Sequence, residues 1–145
     1  MFKINISVDY SHIWIDHPLI FLFYINDRII HLDNSGAEKC KIEKTLKLPE
    51  GSHSFKIKVQ NKDTKNTQVD KKHNIIADSF LNINSISFDG FDIQHLVKNR
   101  EDVSTFYIDD NTTQTLQKTL KYGKNGTLEL NFSLPLYNWL LEKLF

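Results

Sequence analysis

Apolar and polar residues alternate along most of the chain, which is the pattern of β-strands with one buried face. The alternation is clear in four segments, residues 2–8, 40–48, 52–59 and 127–134. In a further segment, 80–88, the apolar face changes parity halfway, which predicts a β-bulge near Asn84 and Ser85. Residues 19–25 are almost wholly apolar, so we expect a central strand there with both faces covered.

Turn residues separate these segments. Asn26-Asp27 tolerates the positive φ angles of a two-residue hairpin, and Pro49-Glu50-Gly51 and Asp89-Gly90 supply further reversals. About eight short strands without βαβ alternation predict an all-β fold, an antiparallel jelly-roll-like β-sandwich. The sequence shows no internal repeat or domain boundary, so we expect residues 1–145 to form a single domain.

Three segments break the strand pattern. Residues 61–74 and 99–115 are polar and are predicted as long surface loops. Residues 116–122 fit a strand or a helix equally well. After Pro135 the apolar residues recur at helical spacing, which predicts a short C-terminal helix over about 136–144.

The predicted C-terminal helix has little polar surface, so it must pack on something. It either covers one end of its own domain or docks on another chain. The candidate interface consists of its apolar residues, Leu136, Tyr137, Trp139, Leu140, Leu141, Leu144 and Phe145.

Composition narrows the range of functions. The 18 basic and 18 acidic side chains give a formal net charge of zero, which argues against a nucleic-acid binder that depends on a strongly positive surface. The single cysteine, Cys40, rules out an internal disulfide and is expected in the core. The sequence has no apolar run of about 18 residues, so we do not expect membrane insertion.

No sequence motif points to catalysis. The chain lacks a glycine-rich phosphate loop, a nucleophile elbow and a His-Glu-x-x-His pair, and its six histidines are not spaced as zinc ligands. His53 lies on the apolar face of its strand and is expected to be a core residue hydrogen-bonded to the backbone. The adjacent Asp109 and Asp110 are interpreted as solvated surface. We therefore expect a protein that is not an enzyme.

Carboxylate and amide oxygens on neighbouring loops are the ligands that calcium prefers. The candidate glycan or metal site consists of four such residues, Asn61, Asp63, Asp70 and Asp78. The same segment contains lysines that could neutralise these carboxylates without a metal, namely Lys62, Lys65, Lys71 and Lys72. The sequence requires no cofactor, and calcium is the one candidate.

Exposed aromatic rings are the usual platforms for sugars, and four residues are candidates, Tyr10, Trp14, Phe106 and Tyr107. Trp14 stands between Ile13 and Ile15, so we expect it to belong to the core instead.

Within residues 19–90 a Gly51-Ser52-His53 strand is followed by the acidic loop of Asn61, Asp63 and Asp70, and a later strand ends in Phe88-Asp89-Gly90. This order resembles calcium-dependent, xylan-binding-type carbohydrate-binding modules. The resemblance implies a β-sandwich whose acidic loop holds metal and sugar. The run from Asp70 to Ile75 departs from the Asp-Arg-Asn-Leu-like run of those modules.

Other motifs are spread over most of residues 1–145. They are the segments 66–70 and 74–78, Asn125-Gly126-Thr127 and, most specifically, the ending Pro135-Leu136-Tyr137-Asn138-Trp139-Leu140-Leu141-Glu142. Together they resemble a family of small uncharacterised proteins encoded by tailed bacteriophages, notably marine and cyanobacterial myoviruses. This resemblance implies a location in the virion and carries over no catalytic residues.

Two functions are therefore expected. The first is a structural or accessory virion protein of the tail, baseplate or capsid surface, made in the host cytoplasm and assembled in many copies with other virion proteins through the C-terminal helix. The alternative is a carbohydrate-binding module that recognises a host surface glycan through the 61–78 loop and nearby aromatics, with calcium as its candidate cofactor. Assembly is the main hypothesis, because the lysine-rich acidic loop gives no independent sign of a ligand.

Overall fold

The computed structural model describes residues 1–109, 114–115 and 120–144. In chain order its strands are β1 (Phe2–Ile13), β2 (Ile20–Ile25), β3 (Arg28–Asp33), β4 (Lys39–Leu48), β5 (Gly51–Gln60), β6 (Thr67–Val69), β7 (Ile75–Asp78), β8 (Phe80–Phe88), β9 (Phe91–Asp92), β10 (Ser104–Ile108), β11 (Gln114–Thr115), β12 (Lys121–Tyr122) and β13 (Gly126–Leu134). The helical elements of the described residues are a 3₁₀ turn (Thr64–Asn66), α1 (Gln94–Asn99) and α2 (Leu136–Leu144).

The strands form two large sheets and one separate hairpin. The first sheet has the order β12-β8-β1-β4, with β9 also paired to β8, and the second has the order β11-β10-β13-β5-β2-β3. Strands β6 and β7 pair with each other. All pairings among the described residues are antiparallel. The predicted antiparallel β-sandwich with a short C-terminal helix is confirmed.

The inner faces of the two large sheets share one apolar core. Buried residues alternate with less buried ones along β1, β5 and β13. Rings from opposite sheets meet in this core, with centroids 5.8 Å apart for Tyr10 and Phe21 and 5.0 Å apart for Phe88 and Phe132. Cys40 is half-buried against the same core. The period-two alternation therefore predicted the buried faces of these strands correctly, because each sheet buries one face on the other.

Two local predictions are confirmed by the backbone. On β8, Ser85 pairs with Asp9 and Ile83 pairs with Tyr10, so Asn84 is the extra residue of a bulge. Asn26 has a φ of 53° in the turn between β2 and β3, a left-handed conformation that asparagine tolerates better than most residues.

Three other predictions for individual segments were wrong, and one open alternative is decided in part. Strand β2 is buried on one face only, because its second face lies on the outside of the sandwich. Residues 61–74, predicted as one long loop, contain the 3₁₀ turn and β6. The predicted loop over 99–115 contains β10 and β11, and its residues 110–113 lie outside the described residues. Of the ambiguous segment 116–122, residues 116–119 lie outside the described residues, and Lys121–Tyr122 forms β12. Polarity is a poor guide here, because β6 exposes most of its side chains in a separate two-stranded hairpin. Strand β10 lies inside the second sheet, between β11 and β13.

Across the described ranges, the structure contains no helix with the length and apolar character that a membrane crossing requires.

Candidate functional site

The four residues of the predicted loop site do not converge on one point. The Asp63 carboxylate accepts a hydrogen bond from the backbone N–H of Lys65 at 2.9 Å and caps the 3₁₀ turn. The Asp70 carboxylate accepts from the backbone N–H groups of Lys72 at 2.8 Å and Asn74 at 2.9 Å. These backbone bonds keep the pKa of Asp70 below its usual value. Both aspartates therefore organise their own turns.

Asn61 is held by the segment before β2. Its side chain donates to the carbonyl of Pro18 at 3.1 Å, and its own carbonyl accepts from Nε2 of His17 at 2.8 Å. Nδ1 of His17 lies 2.8 Å from the Asp16 carboxylate, and this hydrogen bond and the one to Asn61 raise the pKa of His17. These contacts connect two loops at one end of the sandwich.

Asp78 is neutralised by a lysine. The Lys62 ammonium lies 2.6 Å from Asp78 and donates to the carbonyls of Ser79, at 3.0 Å, and Gly123. Burial raises the pKa of Asp78, but hydrogen bonds from Lys62, Thr67 and the Ser79 backbone outweigh that effect and leave it below its ordinary value. The ammonium occupies the position beside Asp78 that a cation would need. Within the described ranges no three His, Cys, Asp or Glu side chains are grouped so that they could hold a metal ion.

The C-terminal helix is divided between core and surface. Leu136, Trp139 and Leu140 are buried in the chain's own core, so they cannot serve a partner as predicted. The exposed apolar residues of α2 are Tyr137, Leu141 and Leu144. Phe145 lies outside the described residues. The helix packs inward through Trp139, whose ring lies 6.3 Å from Phe88 and 6.4 Å from Phe132 between ring centroids.

Ionic contacts also fasten α2 to its own domain. Asp102 accepts hydrogen bonds from Nη2 of Arg100 at 2.9 Å and from Nζ of Lys143 at 2.8 Å. Arg100 donates in addition to the backbone carbonyl of Lys143 at 3.0 Å. The two cations hold the pKa of Asp102 well below its usual range.

The structure sorts the aromatic candidates differently from the sequence. Tyr10 and Phe106 are buried, and Tyr107 is half-buried. Trp14, predicted in the core, is 39% exposed, because β1 ends at Ile13 and its alternation does not extend further. The Trp14 indole N–H donates to the carbonyl of Gly36 at 2.8 Å.

Of the adjacent carboxylates, Asp109 is exposed and Asp110 lies outside the described residues. His53 is confirmed as a core histidine, with Nε2 2.8 Å from the carbonyl of Pro49.

A broad concavity lies on the outer face of the second sheet. Two adjoining cavities of about 490 and 420 Å³ share Asn26 and Glu129. We call the combined surface the sheet groove. Its outward-facing lining residues come from β2, β5, β10 and β13, from the turn after β2, from the loop between α1 and β10, and from α2. They are Tyr24, Asn26, Asp27, Ser52, Ser54, Lys56, Lys58, Asp102, Tyr107, Thr127, Glu129, Asn131, Ser133, Glu142 and Lys143.

Strand register orders these side chains into two rows across the sheet. In the first row Glu129 stands opposite Lys56, and Lys56 opposite Tyr24. In the second row Tyr107 stands opposite Thr127, and Thr127 opposite Lys58. Strands β10 and β2 are three steps apart, roughly 14 Å at ordinary strand spacing. The two tyrosines thus flank a polar floor.

The groove was not identified from the sequence. Alternation already placed Lys56, Lys58 and Glu129 on outward faces, but it did not reveal that β5 pairs with β13, about 70 residues further along the chain. Tyr24 was hidden in an apolar run that was predicted to be buried on both faces. The missing signal was long-range strand pairing.

A second concavity, which we call the end cleft, has a volume of about 440 Å³. It lies where β1 ends and β4 begins, and it is lined by Ser11, His12, Ile13, Trp14, Gly36, Glu38 and Lys39. The His12 ring is 1% exposed and lies between Phe21 in the core, at 4.7 Å, and Trp14, at 6.5 Å between ring centroids.

The end cleft contains a buried imidazole with a fixed tautomer. The backbone N–H of Leu19 donates to Nε2 of His12 at 3.2 Å, so the proton of the neutral ring is on Nδ1. Nδ1 has no hydrogen-bond partner among the described residues. Burial lowers the pKa of His12, and the opposing attraction of Asp33 is the smaller effect. The ring is therefore neutral near pH 7.

We expect His12 to make the protein less stable in mild acid. The folded state binds the His12 proton less readily than the unfolded state, so stability falls as the pH drops below 6.5, until the lowered pKa of the folded state is passed. His12→Gln keeps an acceptor for Leu19 and removes the titration. The measurement is urea unfolding of both proteins between pH 5 and 8.

The informative quantity is the stability difference between the two proteins. Taking the difference cancels the contributions of other titrating groups to the pH dependence. His17 is one such group, and its raised pKa has the opposite effect on stability. The charged groups around the ring are Asp33, Glu38 and Lys39, and they are common to both proteins. A difference that does not change with pH would contradict the assignment of a buried neutral His12.

No protein-family model and no curated protein sequence matches the chain. Among solved structures, one described as "vCBM60 in complex with galactobiose" is similar, with a TM-score of 0.56. The similarity covers 88% of this chain and 98% of that chain at 11% sequence identity. At this identity the likeness shows the fold, the β-sandwich of a carbohydrate-binding module. The predicted bacteriophage family and virion location have no support in these comparisons.

Proposed function

We propose that the chain is a glycan-binding module and that the sheet groove is its binding face. The observation that carries the proposal is the groove itself, an open polar floor on the outer face of a sheet with a tyrosine on each side. The structural likeness to a carbohydrate-binding module solved with galactobiose supports the same class of ligand. The main hypothesis from the sequence, virion assembly, lacks comparable support.

The groove chemistry suits a hydroxyl-rich ligand. Lys56 and Lys58 offer N–H donors, the Glu129 carboxylate offers acceptors, and Asn131 can do both. A glycan presents hydroxyl groups that donate and accept at short intervals along its length. Tyr24 supplies a ring face on which the C–H surface of a sugar can stack, and its hydroxyl group can remain in water. Tyr107 stands on the other side of the polar floor.

Binding without catalysis fits the carboxylates of the groove. A glycosidase needs two carboxyl groups across the scissile bond, one of them desolvated so that it stays protonated. The Asp27 side chain is 99% exposed and lies 3.4 Å from the Lys56 ammonium, so it lacks the desolvation of a general acid. Glu129 is the other carboxylate on the floor between the tyrosines. At the end of the groove beside α2, Asp102 and Glu142 lie 2.8 and 3.6 Å from the Lys143 ammonium.

The first test is a glycan array probed with the full chain, with galactobiose among the printed sugars. The strongest hit is then titrated by calorimetry into the native protein and into Tyr24→Ala. We expect Tyr24→Ala to weaken binding by about tenfold or more, the usual effect of removing an aromatic anchor. Tyr137→Ala is the matched control, because Tyr137 is 65% exposed on α2 and does not line the groove. We expect it to bind like the native protein.

The array is repeated in calcium and in chelator. Because Lys62 already neutralises Asp78, the proposal expects equal binding in both buffers. A folded protein that binds no printed glycan contradicts the proposed function. Equal losses for Tyr24→Ala and Tyr137→Ala would reject the groove as the site.

A further inference from the structure

We propose that the end cleft is a second sugar site. It binds a single neutral pyranose ring, with the apolar face of the sugar on Trp14 and one sugar hydroxyl accepting a hydrogen bond from Nδ1–H of His12. The class of ligand rests on the proposed function, but the site is separate, because the end cleft and the sheet groove share no lining residue.

Trp14 is a ring held ready for stacking. Its side chain is 39% exposed, and the hydrogen bond from its N–H to the carbonyl of Gly36 fixes the orientation of the indole. The ring also lies against the backbone of the turn, since a Cβ on Gly36 would come within 3.4 Å of indole atoms. A ring that is already ordered loses little conformational entropy when a ligand stacks on it.

His12 supplies an unused hydrogen-bond donor. Buried N–H groups are almost always paired, and an unpaired one is costly. Nδ1–H of His12 has no protein acceptor among the described residues, and its ring is buried beside Trp14. A sugar hydroxyl in the end cleft would provide the acceptor. The neutral state of the ring suits this role, because an imidazolium would break the bond from Leu19 to Nε2.

The rim of the end cleft offers hydrogen-bonding partners for the other hydroxyl groups of a sugar ring. Ser11 and Lys39 stand opposite each other on β1 and β4, and with Glu38 they offer both donors and acceptors. The volume of about 440 Å³ is within the range of small-molecule sites. One apolar platform and one buried donor define a single ring, whereas the longer sheet groove has room for a chain.

The experiment is an NMR titration of the ¹⁵N-labelled full chain with galactose, glucose, mannose and xylose, each added separately. The two indole N–H signals act as probe and reference, because Trp139 is buried in the core and Trp14 lines the end cleft. With at least one of these sugars we expect saturable chemical-shift changes of the Trp14 indole N–H signal and of the His12 Nδ1 signal. The Trp139 indole signal should not move. Trp14→Ala should weaken that binding about tenfold or more. In this variant the His12 Nδ1 signal monitors the binding.

Two variants separate this site from the sheet groove. His12→Phe removes the Nδ1–H donor and should weaken binding of the monosaccharide. The Trp14 signal still reports binding in this variant. Tyr24→Ala should leave the monosaccharide titration unchanged. Absence of a saturable Trp14 shift with all four sugars overturns the second site, and so does a Trp14 shift that Tyr24→Ala abolishes. Because Trp14 is at the surface, Trp14→Ala keeps the test valid if His12→Phe does not fold.

Failure of the two proposals can be told apart. An array hit that depends on Tyr24, without any shift of Trp14, supports the sheet groove and rejects the end cleft. A monosaccharide response at Trp14 without any hit that depends on Tyr24 supports the end cleft and rejects the groove.

Discussion

Phe88→Ala should lower the free energy of unfolding by about 3–5 kcal/mol, the loss typical of removing a buried phenylalanine ring. Phe88 is fully buried on β8 and contacts rings of the opposite sheet and of α2. Its centroid lies 6.4 Å from Phe55, 5.0 Å from Phe132 and 6.3 Å from Trp139. The alanine would leave a cavity where the first sheet, the second sheet and the C-terminal helix meet. The measurement is urea unfolding followed by circular dichroism.

Phe91→Ala is the matched control. Phe91 stands opposite Phe88 in the β8–β9 hairpin, but its side chain is 51% exposed. The same change should therefore cost about 1 kcal/mol or less, as surface substitutions do. If the two variants lose similar stability, then Phe88 is not the contact between the two sheets and α2 that the structure shows.

Lys62→Met should destabilise the fold by about 2–3 kcal/mol, at or just below the losses of about 3–5 kcal/mol seen when one partner of a buried ion pair is removed. The Lys62 side chain is 11% exposed, and Asp78 is 33% exposed, so water can relieve part of the unpaired charge. The carbonyls of Ser79 and Gly123 would also lose their donor. The pKa of Asp78 should rise, because burial remains and the ammonium is gone.

The control for Lys62 is Lys71→Met in the nearby β6–β7 turn. Lys71 is exposed and makes no ion pair within the described part of the chain, so its removal should change stability by about 0.5 kcal/mol or less. Urea unfolding at pH 7 compares the two variants. A Lys62→Met variant as stable as Lys71→Met would show that the Lys62 ammonium does not hold the backbone at Ser79 and Gly123 together.

Local patterns in the sequence predicted the strands well. The parity change in 80–88 placed the bulge at Asn84, because a bulge moves the remaining side chains to the other face. Apolar neighbours were a poor guide to burial in two places. They placed Trp14 in the core although β1 ends at Ile13, and they predicted two covered faces for β2, which has apolar residues on its outer face. Neither error could be corrected locally, since burial at those positions depends on neighbours distant in the chain.

The candidate site could not be predicted for the same reason. Residues 61–78 attracted attention because their acidic side chains are close in sequence, yet the structure uses Asp63 and Asp70 in separate turns. The sheet groove depends on the pairing of β5 with β13 and β2, and strand order is a property of the folded chain. His12 was unremarkable in the sequence because its unpaired nitrogen is visible only once its surroundings are known.

The most direct test of the glycan-binding proposal is chemical-shift mapping with the oligosaccharide that binds best on the array. The ¹⁵N-labelled full chain is titrated to saturation, and the shifted backbone signals are placed on the structure. The proposal predicts the largest shifts on the central strands of the second sheet, around Tyr24, Lys58 and Glu129. Large shifts confined to the outer face of β1, β4 and β8, or to residues 61–78, would contradict it.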